Sequence, residues 1–506
     1  MLTRIGRSIT GHPALIRYIG FVGSVALGID AYLSGAFTKL PGLVTPQLIA
    51  EGPNGILIVT LWLGGTAALA GAWFFGRNLP GLTIRWTALT AALWTLPMLV
   101  IPPIGSRDVY AYSCQGALYA AGHNPYHQGI SALPCQWLDS VSVIWRDSPT
   151  PYGPLFIMLA GVAAKLGSLT AAIIAFRILS VIGVVGIGVA LVPLVRRLGL
   201  PVERALWLVL ASPLVVMHLV GGAHNDALNV ALLVGAFAMV ITRYDRLHGL
   251  IIGGALAGLS IAIKPTMLVA LPFLVLYAAG GADAPEPSFA DPPKGPFGFP
   301  AIRPLLTRGG TVLISAFVAL CIPTFISGLG FGWISALVHA GGGIAYTSTS
   351  SAFGTVLDWL LRLVGVHIYA VSTTRTIGVG LLVVALMLIF WRARYGDRLY
   401  ACGMALLAVS FFAPFAEPWY LLWPLVMFVM TRARARWFLI SVVVACFTAM
   451  PDGVNLDNLI RLPGSIGMTV VAAFGIVAGI AWLRGSQPLE LDAKRAPEPA
   501  AAATLG

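Results

Sequence analysis

The sequence predicts an all-α, polytopic transmembrane helical bundle, and three observations carry that prediction. Of its 506 residues, 58% are hydrophobic and 10% charged. Soluble domains carry about 25% charged residues, so a soluble fold of this composition could not cover its surface with polar groups. Apolar stretches close to the roughly 20 residues that a span requires recur along nearly the whole chain. Basic residues come in short clusters between those stretches, and the 14 Trp and 14 Tyr gather near their ends, where amphipathic rings suit the membrane interface.

The apolar runs are 14–36, 55–76, 83–103, 170–195, 203–220, 224–242, 249–263, 265–280, 309–328, 375–391, 398–414, 418–431, 436–450 and 465–483. They correspond to about 12–14 spans. The first follows Arg4, Arg7 and Arg17 but is too long for a cleaved signal peptide, and reads as a signal anchor. An N-terminus inside the cell places most of the basic residues in inner turns: Arg77/Arg85, Arg196/Arg197/Arg204, Arg243/Arg246, Lys294/Arg303/Arg308, Arg392/Arg394/Arg398 and Arg432/Arg434/Arg436. That bias sets orientation in membrane proteins. The net charge of +12 is spread over these turns rather than gathered in one domain, which argues against a nucleic-acid partner.

Residues 153–167 look like a span but are too short. Counting them as one would put Arg196, Arg197, Arg243 and Arg246 outside, so the segment is expected to be a helix lying on the outer surface. The outer region then runs from about 104 to 169 and is the longest ordered loop. Residues 1–485 form one multi-pass domain. Within it, 281–308 reads as a Pro/Gly-rich cytoplasmic linker, and 486–506 as a disordered tail.

The polar residues that remain fall on the outer side. Asp108 stands where the third span meets the outer interface, at the start of a helical pattern running to Ala121. It is either an N-cap or a functional carboxylate, and both roles are compatible; Arg107 and Tyr110 flank it. Tyr152, within a Pro-rich aromatic stretch that follows Trp145, is either a membrane-anchoring turn residue or one wall of a groove. His224, Asn225 and Asp226 follow two glycines in a tight hairpin; capping is an alternative for Asp226. Lys264-Pro265 breaks the apolar stretch 249–280. Its ammonium either snorkels or is held at the surface, where it suits a lipid phosphate. Glu417, Trp419 and Tyr420 lie in a further outer turn. Acids, an amide, an imidazole and an ammonium gathered on one face make an enzyme-like inventory. Cys114 and Cys135 share the outer loop and would form a disulfide in an oxidising exterior. No Cys/His metal spacing and no nucleotide-binding motif is present.

In order, the stretches SRDVYAY-CQGAL-AGHNPY, VIW…TPYGPLF, GGAHND, AIKPT and EPWYLLWPL resemble those of the actinobacterial alpha-1,6-mannopyranosyltransferases, the MptA and MptB groups of GT-C glycosyltransferases. The resemblance extends over nearly all of the chain. It implies a large first outer loop bearing an acidic residue, here Asp108 as general base. It also implies a polyprenyl-phosphate-mannose donor, a lipid-anchored mannan acceptor of the lipomannan and lipoarabinomannan type, and inversion at the anomeric carbon. Within that scheme Lys264, with Arg107 as an alternative, would stabilise the phosphate. His224, Asn225 and Asp226 would position sugar hydroxyls, and Tyr152 and Trp419 would stack on sugar or polyprene, with Tyr110, Glu417 and Tyr420 as further substrate contacts. No metal or other cofactor is expected. Arg107 departs from the paired acidic signature frequent in GT-C enzymes, and the 281–308 linker has no counterpart in the resemblance. The alternatives are a GT-C transferase for another polyprenyl-linked sugar, such as arabinose or glucose, and a secondary transporter.

Overall fold

The computed structural model describes residues 12–36, 51–280, 295–340, 348–432, 436–456 and 460–484. Among these the chain is helical throughout, with one isolated antiparallel bridge between Ala449 and Asn455. Six helices are long and apolar enough to cross a membrane: Pro13–Ser34, Gly55–Gly76, Leu169–Arg197, Ile302–Ile326, Ala370–Arg392 and Arg461–Leu483. The pair Val202–Leu210 and Leu214–Gly221, bent by 49°, makes a seventh if counted as one span.

The other apolar runs also form helices, but shorter ones, including Asp226–Thr242, Leu247–Ile263, Pro265–Gly280, Arg398–Phe412, Pro418–Phe428 and Arg436–Ala445. By length and composition six or seven crossings are thus made by helices long enough on their own, and the expected 12–14 would need the shorter apolar helices to cross as well. Hydropathy runs continue through prolines that the backbone does not: Pro97, Pro213, Pro265 and Pro418 each sit at a change of helix type or direction, as a missing N–H dictates.

Of the 281–308 linker, residues 281–294 lie outside the described residues, and Ile302 already begins the helix that runs to Ile326. The tail 486–506 also lies outside them. The segment expected to lie on the outer surface is an 11-residue helix, Pro154–Ala164, packed on Asp108–Ala120 and Leu247–Ile263 with Phe156, Ile157 and Ala160 buried.

Close helix contacts fix the frame of the site. Asp226–Thr242 lies along Leu169–Arg197, and a Cβ at Gly183 would collide with the Ala227 backbone, so a small residue sets that spacing. Six residues earlier, Arg177 donates to four backbone carbonyls: Leu99 at 3.2 Å, Ile101 at 2.8 Å, Val220 at 3.2 Å and Gly221 at 3.1 Å. A guanidinium within a span is costly; here it is matched to carbonyls left over where other elements end. It ties together the two chain segments that lead into Asp108 and His224.

Within the 104–169 region the Asp108–Ala120 helix is followed by three short 3₁₀ turns and then Pro154–Ala164. Cys114 and Cys135 are disulfide-bonded with their Cα atoms 5.5 Å apart, joining this helix to the loop above it. For a closed loop of this size, Cys114→Ser should cost about 3 kcal/mol, read as a lower thermal unfolding midpoint in detergent and a newly alkylated Cys135.

Candidate active site

Asp108 opens the Asp108–Ala120 helix, but its carboxylate does not cap it. The Ser106 hydroxyl accepts the Asp108 backbone N–H at 3.1 Å, so the capping role passes to a neighbour and the carboxylate is left to face outward, 17% exposed. One helical turn on, where side chains share a face, the Tyr112 hydroxyl reaches to 3.4 Å from His224 Nδ1. Tyr110 points elsewhere. It is fully buried in the core beneath the outer loop, its hydroxyl without a hydrogen-bond partner among the described residues. It is Tyr112, which sequence reasoning passed over although its spacing from Asp108 marks it, and not Tyr110, that shares the face of Asp108 and reaches His224.

The second strand of the site is the turn into Asp226–Thr242. A π-helical segment, Leu214–Gly221, precedes it; such segments are rare and gather at functional sites. Ala223 then adopts φ +55°, a left-handed conformation costly for a residue with a Cβ. Ser180 holds the His224 carbonyl at 3.0 Å. His224 lies on Trp419 with ring centroids 4.0 Å apart. Both side-chain amide atoms of Asn225 are buried without a partner among the described residues.

Asp226 does not cap its helix either. Its carboxylate accepts from Lys264 Nζ at 2.8 and 3.0 Å and from Trp423 Nε1 at 2.7 Å. Lys264 does not snorkel: it is 6% exposed, with its ammonium 4.6 Å from the Tyr420 ring centre and 5.1 Å from that of Trp423. Asp226 thus holds Lys264 in place.

Tyr152 arrives beside this pair because the following residue docks on the Lys264 segment. Gly153 donates to the Ile263 carbonyl at 3.0 Å, and any Cβ there would strike Ala262. The Tyr152 ring meets Tyr112 edge-on at 5.2 Å and lies 6.0 Å from Lys264 Nζ. Glu417 accepts from Asn455 Nδ2 at 3.2 Å. The Arg107 guanidinium donates to the Ser140 carbonyl at 3.1 Å and lies near Asp452, bracing the loop. The structure therefore joins Asp108, Tyr152, His224, Asn225, Asp226, Lys264, Trp419 and Tyr420, with Glu417 close to Tyr420. Arg107 and Tyr110 lie to the side; Tyr112, Trp423 and Ser106 are additions.

Burial raises the Asp108 carboxyl to about 6; Lys264 opposes the shift and Asp226 adds to it. Burial, then His218 and Lys264, push His224 well below its ordinary value. The 3.7 Å approach of His224 Nδ1 to Asp108 is accordingly a contact with a neutral imidazole and no ion pair. Asp108 is left as a carboxylate with raised proton affinity, which suits a general base near neutral pH. A general base is active in its ionised form, so with Asp108 in that role kcat/KM should fall about tenfold per pH unit below about pH 6 and level off above it.

Among the described residues no group of three or more His, Cys, Asp or Glu could hold a metal ion. The fold and the site together define a multi-pass helical membrane protein in which a carboxylate of raised proton affinity lies near a buried, ion-paired cation. Residues 17–280 match the N-terminal domain model of the alpha-(1->6)-mannopyranosyltransferases, and residues 346–479 match the MptB C-terminal domain model. Alpha-(1->6)-mannopyranosyltransferase A of Mycobacterium tuberculosis is 30% identical over 84% of this chain and 81% of its own length. A probable alpha-(1->6)-mannopyranosyltransferase of Mycolicibacterium smegmatis is 31% identical over 90% and 87%. Alpha-(1->6)-mannopyranosyltransferase B of Corynebacterium glutamicum is 26% identical over 92% and 80%. No solved structure matches. The chain belongs to the alpha-(1->6)-mannopyranosyltransferase family, and is a hexosyltransferase.

Proposed function

We propose that the protein transfers mannose from a polyprenyl-phosphate-mannose donor to a lipid-anchored alpha-1,6-mannan acceptor of the lipomannan and lipoarabinomannan type, at the outer face of the cell membrane and with inversion. The observation that carries this is the nearness of Asp108, released from capping, to an ammonium already fixed by Asp226 in apolar surroundings. Asp108 takes the proton from an acceptor hydroxyl as that oxygen attacks the anomeric carbon. The bond to phosphate breaks on the opposite face, and the leaving lipid monophosphate gains charge beside Lys264. Asp226 and Trp423 keep Lys264 in place before reaction, so little reorganisation is needed at the transition state. Asn225 and His224 offer polar atoms to sugar hydroxyls, while Tyr152, Trp419 and Tyr420 offer faces for stacking.

The orientation draws support from the helices themselves. Asp226 and Arg243 bracket a 17-residue helix, about 25 Å long, so the cationic turn at Arg243 and Arg246 lies far from the site. The Cys114–Cys135 bridge suits an oxidising compartment. Isolated membranes containing the protein, given radiolabelled polyprenyl-phosphate sugars one at a time, should consume the mannosyl lipid. Consumption of an arabinosyl or glucosyl lipid in its place would assign a different donor.

A further inference from the structure

Three polar groups from two distant parts of the chain meet at one point in the site. The Tyr112 hydroxyl lies 3.4 Å from His224 Nδ1, and the same ring nitrogen lies 3.7 Å from Asp108 Oδ2. Asp108 and Tyr112 are four residues apart on one helix, the spacing at which side chains meet. The phenol is close enough to the Asp108 carboxylate for a hydrogen bond that favours the charged form. Tyr112 is fully buried, and its ring meets those of Tyr152, Phe156 and Phe176 edge-on, with centroids 5.2, 4.8 and 5.6 Å away. Packing of the ring thus sets where the hydroxyl stands.

A phenol has one proton to give, and an ionised carboxylate can only accept. Hydrogen bonds to a charged acceptor are the stronger ones, so the phenol proton goes to Asp108. The phenol oxygen then faces His224 Nδ1, which carries the ring proton and donates it. His224 Nε2 is left as an acceptor. It is buried with no hydrogen-bond partner among the described residues, and stays available for the sugar hydroxyl proposed for it above. We propose that Tyr112 is a positioning residue for mannosyl transfer: it accepts a hydrogen bond from His224 and gives one to Asp108, holding one carboxylate oxygen so that the other is free for the acceptor hydroxyl. The proposal rests on Asp108 as the base and deepens that reading. Lys264, Asp226, Ser106, Tyr152 and Tyr420 also face the Asp108 charge, so the test changes the Tyr112 hydroxyl and nothing else. A donor to the charged form of a carboxyl lowers its pKa, and removing that donor moves the acid limb of the rate profile to higher pH.

The test is kcat/KM against pH for the full-length protein in detergent micelles, with a polyprenyl-phosphate-mannose donor and a synthetic alpha-1,6-dimannoside acceptor. Tyr112→Phe deletes the hydroxyl and keeps the packed ring. Its acid limb should move up by about one pH unit, so that its loss against the wild type is about tenfold at pH 5 and shrinks to about twofold or less at pH 8. Replacing Tyr112 with 3-fluorotyrosine, a stronger donor of nearly the same size, should move the limb down, and supplies the reading if Tyr112→Phe is not recovered folded. A side chain that only fills space would give the same loss at every pH. That result, or a limb that stays in place or moves against these signs, would overturn the role of Tyr112. A wild-type profile with no acid limb would instead overturn Asp108 as the base, and the role of Tyr112 with it, so the two failures are told apart by the wild-type profile.

Discussion

Asp108→Asn is expected to lower mannosyl transfer by about 10²–10⁴-fold, the range that a positioned general base contributes, with little change in the amount of folded protein. The substitution keeps the side chain's shape, and the helix start is capped by Ser106 in its absence. Asp108 is held in surroundings that already disfavour its charge, so losing that charge removes no stabilising ion pair. The measurement is initial-rate transfer of label from mannosyl lipid into mannan, normalised to protein abundance. A rate near that of the wild type would move the proton-accepting step to another residue.

Lys264→Met is expected to be the most damaging single change to the fold as well as to the chemistry. It leaves Asp226, fully buried, with the Trp423 indole N–H as its donor among the described residues. Breaking a buried pair by removing one partner costs about 3–5 kcal/mol. The double variant Lys264→Met/Asp226→Asn removes both charges and should recover most of that loss in unfolding midpoint, since neutral replacements for buried pairs are often tolerated. Transfer should not recover, because the cation proposed to face the leaving phosphate is still missing. Recovery of transfer along with stability would reduce the pair to a structural role.

Much of this site was legible because one rule, the inward bias of basic turns, places Asp108, His224, Lys264, Glu417 and Trp419 at the same end of the spans although they are far apart in sequence. The details that were not legible depend on directions and distances that a linear pattern does not carry. Asp226 and Trp423 are 197 residues apart, and Trp423 sits in a run that reads as apolar span. The choice between Tyr110 and Tyr112 was open to helix periodicity, and the residue nearer to Asp108 in sequence proved to lie on the other side of the helix. Helix breaks within the apolar runs were not legible, because apolar composition persists through Pro97, Pro213 and Pro265, where the backbone turns.

The central claim is that the carboxylate and the cation lie beyond the membrane face opposite the arginine-rich turns. With Cys321, the least buried of the free cysteines, changed to Ala, single cysteines would be placed at His127 and at Arg246, both exposed in their loops. In intact cells a membrane-impermeant maleimide should label His127→Cys, and label Arg246→Cys only after lysis. The reverse pattern would put Asp108 in the cytoplasm, away from any lipid-linked donor displayed outside, and would contradict the account.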